Sequence, residues 1–335
     1  MVTVAVAREA PSRSYLLQRL GFGPGAFRLC LAAAVFLQHV SRFETGRTAV
    51  MLFFMLSGYW VSRMQSGAGA KPYARFVLNR FLRIWPLLCV AAAFCAFGLP
   101  LLFGLHRGGS FLSTIGLFGL ATRNDDVDGT IWSLDIEAQF YLLLPLVLFA
   151  IAGARLGRRT FALASVAICG IGTALTLRFA VANVLFYWPM FAAGVSICVH
   201  RWKPSGRWAL ISLLAVCVGI AANQALLHIP FSPSGGPRDG PLPFITYDAA
   251  TMAIALLGAP MIAWVVSLPS NRRDHHLGDA AYPFYLFHVP LIFVSLAFIG
   301  GMAGKVVALV AAAAVTYLAE RFIDRPLERL RRRYA

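Results

Sequence analysis

An apolar stretch near the start of the chain carries two polar residues suited to chemistry. It reads FRLCLAAAVFLQHV and contains Arg28 and His39, eleven residues apart. Eleven residues make about three helical turns, so both side chains lie on one stripe, about 16.5 Å apart along the axis. Charged groups inside a bilayer are costly and tend to mark function. The alternative is a pair of membrane-surface anchors, which suits Arg28 better than His39.

A carboxylate lies near the start of another apolar segment, TIWSLDIEAQFYLLLPL. Ser133, Glu137 and Tyr141 follow at four-residue spacing and should share one helix face. Asp135 should point away from that face, closer to water. A buried glutamate beside a neutral histidine can form a base and its orienting partner, so Glu137 and His39 are the predicted catalytic residues. The alternative for Glu137 is a structural carboxylate paired with an arginine.

Two arginines, Arg80 and Arg83, lie three residues apart in YARFVLNRFLRIWPLL, on one face of a helix start. Guanidinium groups bind phosphate well because their donors form a planar fork. This pair therefore predicts a phosphate site on the inner side. The alternative is ordinary anchoring at the cytoplasmic membrane surface.

The segment AYPFYLFHVPL places Tyr282, Tyr285 and His288 on one side of a helix, and His288 lies two residues before Pro290. A proline leaves a backbone carbonyl without its donor, and a neighbouring side chain can satisfy that carbonyl. Tyr282 and His288 are predicted substrate-binding residues. The alternative is a kink held by a hydrogen bond between helices.

The elements that must position these residues are membrane helices. Of the 335 residues, 59% are hydrophobic and 13% are charged, whereas a soluble domain carries about 25% charged residues. A spanning helix needs about 20 mostly apolar residues. The apolar segment 110–121 is too short and is predicted to be re-entrant or interfacial. About ten spans are predicted, near 24–42, 47–64, 84–104, 131–152, 159–179, 182–199, 207–228, 246–267, 280–299 and 303–322.

The charge distribution predicts the orientation of these spans. The net charge is +16, and most of the 30 lysine and arginine residues fall in every second loop. Basic loops face the cytoplasm, so both chain ends are predicted to lie inside. This pattern argues against nucleic acid as the partner. We expect one all-α membrane domain over 1–335, with a cytoplasmic segment at about 1–23 and a basic cytoplasmic tail at about 323–335.

The six cysteines give no sign of disulfides or metal ligation. Each lies in an apolar stretch, and none forms a CxxC or Cys/His spacing. No metal site is therefore predicted. The chain shows no internal repeat of the kind that many transporters carry, which disfavours a transporter.

The motifs also carry a family resemblance. They are the Arg28–His39 spacing, FFMLSGYW at 53–60, the arginine pair in RFLRIWP, WSLDIEAQFYLLLPL at 132–146, YPFYLFHVPL at 282–291 and ERFIDRPLERL at 320–330. In this order they resemble the acyltransferase-3 family of bacterial membrane proteins, over nearly the whole chain. Asp135 departs from the small or uncharged residue expected there, which makes the role of Glu137 less secure.

The resemblance implies an activity. Such proteins transfer an acyl group, usually acetyl from acetyl-CoA, to a sugar hydroxyl of a surface glycan. The family requires the Arg–His motif and the paired arginines, which match Arg28, His39, Arg80 and Arg83 here. Some relatives carry an added SGNH-type domain, and none is expected in this chain.

The expected mechanism divides the work by depth. The inner arginines would hold the phosphates of cytosolic CoA, while His39 and Glu137, toward the outer half, would carry out the transfer. His39 would act as general base or accept the acyl group itself. No permanently bound cofactor is expected. Expected partners are acyl-CoA, a glycan or lipid-linked glycan, membrane lipids and polysaccharide-assembly proteins, at the bacterial inner membrane.

Two other functional classes remain open at this stage. A proton-linked transporter or flippase of glycans or lipids would also use buried Arg, His and Glu residues. A non-enzymatic membrane sensor or scaffold is the third class, although no soluble domain or long tail supports it.

Overall fold

The structure is a computed structural model that describes residues 22–65, 72–123, 125–154, 157–227 and 241–334. Helix accounts for 82% of the described residues, which contain no strand. The predicted all-α class is confirmed. The predicted cytoplasmic segment at about 1–23 lies outside the described residues except for its last two.

The described chain folds into helices joined mostly by short turns. Prolines occupy the first turn of α1 and α9, where their missing N–H would have no partner in any case. The helices are α1 (Pro24–Val40), α2 (Gly46–Gln65), α3 (Tyr73–Ala93), α4 (Leu99–Phe103), α5 (Phe111–Gly116), α6 (Leu120–Arg123), α7 (Trp132–Ala154), α8 (Arg158–Phe179), α9 (Trp188–Val199), α10 (Gly206–Ala222), α11 (Pro241–Leu256), α12 (Ala259–Val265), α13 (Arg272–Phe298), α14 (Gly301–Ala319) and α15 (Arg325–Tyr334).

Several helices are suited to crossing a membrane. Within the described residues, five are long and apolar enough, and a sixth crossing arises if the bent pair α11–α12 counts as one span. The five are Tyr73–Phe103, Arg158–Phe179, Gly206–Ala225, Arg272–Phe298 and Gly301–Arg329. The predicted total of about ten, with both ends inside, stays a prediction.

Two predicted spans differ from the structure. The predicted span 182–199 is helical only from Trp188, because Asn183 accepts the Phe186 N–H in a turn that precedes α9. The predicted span 246–267 is broken, and its two halves meet at 51°. Segment 110–121 forms the short helices α5 and α6, neither of which is long enough to span.

One serine satisfies the backbone at the break between α11 and α12. The Ser212 hydroxyl of α10 donates to the Leu257 carbonyl and accepts the Met261 N–H. A broken helix inside a bilayer exposes backbone groups that water cannot reach, so a neighbouring side chain must bond to them. Ser212 does so on both sides of the bend.

Close helix contacts depend on glycines. A Cβ at Gly194 of α9 would lie 2.0 Å from the Met55 carbonyl of α2, and one at Gly58 would lie 2.3 Å from the Phe191 carbonyl. Lipid tails are as apolar as helix surfaces, so the hydrophobic effect does little to bring membrane helices together. Membrane helices associate instead through close packing at small residues. The α2–α9 contact is of this kind.

This contact predicts opposite outcomes for two glycine substitutions. Gly194→Ala should lower the thermal unfolding temperature in detergent, because its Cβ meets backbone that cannot yield. Gly170→Ala is the matched control: a Cβ there has nothing within 4 Å, and alanine in a helix interior gains roughly 0.5–1 kcal/mol over glycine. Equal unfolding temperatures for the two variants would contradict the packing described.

Candidate functional site

Most of the predicted site residues line one cavity of about 320 Å³. Its walls come from α1, α2, α3, α7 and α13. The predicted residues that line it are Arg28, Arg80, Arg83, Glu137 and Tyr282. The structure thus brings together five residues that are widely separated in the sequence. His39 and His288 are not in its lining.

Three arginines line the cavity together with three carboxylates, those of Glu137, Asp274 and Asp279. Within the described chain, Arg28 and Arg83 have no hydrogen-bond or ion-pair partner, although both are only partly exposed. Arg80 lies over the ring of Tyr141, 5.9 Å from its centroid. Guanidinium groups that make no hydrogen bond to a protein carboxylate keep their donors available for a phosphate or carboxylate from outside.

The start of α1, which positions Arg28, is fixed by a carboxylate from α13. Asp274 accepts the Ala26 N–H at 2.8 Å and the Gly25 N–H at 3.2 Å, and the Ser270 hydroxyl donates to it. A Cβ at Gly25 would lie 1.9 Å from the Asp274 carbonyl oxygen, so the two backbones touch. The carboxylate also suits the positive end of the helix dipole. Sequence analysis missed Asp274, since its partners lie about 250 residues away.

Glu137 lines the same cavity as the three arginines, the arginine cavity. Its Oε1 accepts the Ser57 hydroxyl at 2.6 Å and the Tyr141 hydroxyl at 2.6 Å. The four-residue spacing correctly predicted the Glu137–Tyr141 contact. The described contacts of Glu137 do not include His39, so the structure does not bring the two predicted catalytic residues together. The FFMLSGYW motif contains Ser57, but its pairing with Glu137 could not be read from one sequence.

Asp135 differs from expectation. It was expected closer to water, yet it is fully buried. Its carboxylate accepts the Ala121 N–H at 3.0 Å and the Gln139 side chain at 2.9 Å. Asp135 therefore caps the short helix α6, which explains a charge at a position where an uncharged residue was expected.

Two histidines meet at the far end of α1 from Arg28. His39, in the last turn of α1, is exposed, and its ring centroid lies 5.3 Å from that of His288 on α13. His288 is fully buried, with Nδ1 2.7 Å from the Tyr285 carbonyl oxygen. The Tyr285 ring lines the arginine cavity and lies 5.8 Å from the His288 ring. Tyr285 thus links the cavity to the histidine pair.

The turn before α7 contains Asp126 and Asp128, and this acidic turn holds Tyr285 in place. The Tyr285 hydroxyl lies 2.9 Å from the Thr130 carbonyl oxygen and 2.8 Å from the Ser133 hydroxyl. The Thr130 hydroxyl donates to Asp128, which is fully buried. Arg107, which sequence analysis did not single out, donates to the Asp128 backbone carbonyl at 2.8 Å.

Arg47, in the first turn of α2, makes an ion pair within the protein. Arg47 is buried and binds Asp248 through two hydrogen bonds of 2.7 Å each. Its guanidinium stacks on Trp132, 3.8 Å from the ring centroid, and Tyr187 donates to the same carboxylate. Arg47 is therefore neutralised within the protein, in contrast to Arg28 and Arg83.

Comparison with known proteins gives one match. Residues 20–320 match the model of a family described as an acyltransferase domain. The match spans nearly the whole chain. No curated protein and no solved structure matches the chain.

The acidic turn predicts a pH-dependent stability. Burial, and then the nearby charge of Asp126, raise the pKa of Asp128 from 3.8 to about 7. Between pH 3.8 and about 7 the native state therefore binds more protons than the unfolded state. The free energy of unfolding falls as pH rises through this range, by up to about 1.4 kcal/mol per pH unit. Asp128→Asn should remove this slope in thermal unfolding measured from pH 4 to pH 8. Parallel slopes in variant and wild type would contradict it.

Proposed function

Because the chain belongs to the acyltransferase-3 family, a family of multi-pass membrane acyltransferases, we propose that it is an O-acyltransferase of surface glycans. It takes acetyl from cytosolic acetyl-CoA and transfers it to a hydroxyl of a cell-surface or exopolysaccharide sugar, or of its lipid-linked precursor. The observation that carries this proposal is the cavity lined by Arg28 and Arg83, with Tyr285 both in its lining and 5.8 Å from the His288 ring of the histidine pair.

The arginine end of the cavity suits the CoA phosphates. Arg28 and Arg83 lack partners in the described chain, and their planar donors match phosphate oxygens. Arg28 and His39 lie about 16.5 Å apart along α1. The long pantetheine arm of CoA suits a site whose phosphate-binding and reacting ends are this far apart. Tyr282 forms part of the cavity wall, and its hydroxyl donates to the Ile84 carbonyl at 2.7 Å.

The histidine end suits the transfer. His39 is exposed, so an acceptor hydroxyl can reach it, and a neutral imidazole can take the hydroxyl proton. Glu137 is proposed to act with the donor, since its hydrogen bonds to Ser57 and Tyr141 hold it beside the arginines. CoA enters as a substrate, and no permanently bound cofactor is proposed. We propose the bacterial inner membrane as the location, with lipids and polysaccharide-assembly proteins as partners.

Substitution of His39 tests the function. His39→Ala should abolish transfer, because no base remains at the acceptor end, while the protein still accumulates in the membrane. Purified protein should release thiol from acetyl-CoA when acceptor glycan is present, and the variant should not. In cells, mass spectrometry of the surface glycan should show acetyl lost on gene deletion and restored by wild type but not by the variant. His200→Ala, at the end of α9, is the control. Transfer by His39→Ala would refute the assignment.

Substitution of Arg83 tests the donor site. Arg83→Ala should raise KM for acetyl-CoA about tenfold or more, since a hydrogen bond to a charged group contributes about 1.5–3 kcal/mol. Arg28→Ala should act in the same way. Arg207→Ala is the matched control, because this arginine is exposed at the start of α10, outside the cavity lining. An unchanged KM in the Arg83 and Arg28 variants would exclude the cavity as the CoA site.

A further inference from the structure

The contacts of His288 define the position of its proton. Its Nδ1 lies 2.7 Å from the Tyr285 carbonyl oxygen. A carbonyl oxygen can only accept, so Nδ1 must carry the hydrogen that forms this bond. In a neutral imidazole the second nitrogen, Nε2, then holds a lone pair and can only accept. Nε2 is buried and has no hydrogen-bond partner among the described residues. The site therefore contains a fixed acceptor that requires a donor.

The rings around His288 narrow the choice of donor. They belong to Phe36, Phe284, Tyr285 and His39, at centroid distances of 6.3, 6.1, 5.8 and 5.3 Å. The two phenylalanines have no N–H or O–H. The Tyr285 hydroxyl is engaged with Thr130 and Ser133. Of these four rings, His39 is the one whose N–H can serve Nε2.

The geometry permits this bond after a small movement. A ring nitrogen lies one ring radius from its centroid, so rings 5.3 Å apart reach hydrogen-bond distance when the two nitrogens point at each other. The bond is not formed in this structure. His39 is exposed in the last turn of α1, so its ring can turn about its side-chain bonds. His288 is held by Tyr285 and stacked on Phe284 at 4°. His39 therefore moves and His288 stays.

We propose that His288 is a positioning residue for His39. Its Nε2 accepts the N–H of His39, which fixes the proton on that nitrogen and leaves the other nitrogen of His39 as the base that faces the acceptor sugar. This inference rests on the proposed function. A carboxylate performs this role in many hydrolases, and here a neutral imidazole does so.

The acceptor hydroxyl oxygen attacks the thioester carbonyl carbon while its proton moves to the free nitrogen of His39. The new C–O bond forms, and the C–S bond breaks as the CoA thiolate leaves. His39 returns the proton to the thiolate. His288 keeps its own Nδ1 proton throughout and stabilises the transient positive charge on His39 through the Nε2 bond.

Two amide substitutions test the acceptor nitrogen separately from the ring. The amide of His288→Gln reaches the position of Nε2, whereas the amide of His288→Asn reaches only that of Nδ1. The assay measures thiol release from acetyl-CoA by the purified full chain in the presence of acceptor glycan. In it, His288→Asn should lower the kcat of transfer about a hundredfold, while the KM for acetyl-CoA stays within about twofold of wild type. His288→Gln should recover most of that loss. His200→Asn, a histidine outside both sites, should retain wild-type kcat, and thermal unfolding in detergent should confirm that all variants fold.

Three results would overturn the inference. Equal kcat for the two amide variants, at any level, would show that Nε2 has no special role. Wild-type kcat in His288→Asn would show that His39 needs no partner. A raised donor KM with unchanged kcat would make His288 a donor-binding residue instead. Failure of the proposed function gives a different result, namely transfer that persists in His39→Ala.

Discussion

The contact between α1 and α13 is the constraint on which the rest of the site depends. Gly25 and Gly278 allow the two backbones to touch, and Asp274 binds the first N–H groups of α1. This contact sets the height of one helix against the other. Arg28 and His39 are on α1, while Tyr285 and His288 are on α13. A shift of one helical turn would therefore separate the histidine pair and move Arg28 out of the cavity.

The membrane explains why arginines in different parts of the protein have different roles. A charge inside a bilayer must be neutralised by a partner or must face a cavity. Arg47 is paired with Asp248, and removing either member of a buried pair leaves an uncompensated charge. Arg28 and Arg83 have no such partner in the described chain and face the cavity. The same side chain is structural in one place and available for a ligand in the other.

Sequence reasoning succeeded where the signal is local. Helical spacing correctly placed Glu137 beside Tyr141. The arginines predicted to bind phosphate line one cavity, and their role stays a prediction. Sequence reasoning failed where the contact joins distant segments. The similar predicted depth of Glu137 and His39 favours a pair, whereas the partner of Glu137 on another helix is Ser57. Periodicity describes one helix face and says nothing of which other helix covers it.

The contacts of buried polar groups are also beyond what helical periodicity can predict. Asp135 reads as a surface residue in a single helix, and only the packing of α6 on α7 shows what it caps. In the sequence Asp274 is typical of the first turn of its own helix, α13. In the structure its carboxylate binds the first N–H groups of α1. Helix breaks were missed for a related reason, since the sequence near residue 257 is apolar on both sides and its backbone is satisfied by α10.

The bridge made by Ser212 has a consequence for biosynthesis. A membrane chain is made from its N-terminal end, so α10 enters the bilayer before α11 and α12 leave the ribosome. The hydroxyl that the broken helix needs is therefore already in place when the break is made. The order of synthesis thus matches the order in which the polar contacts are required.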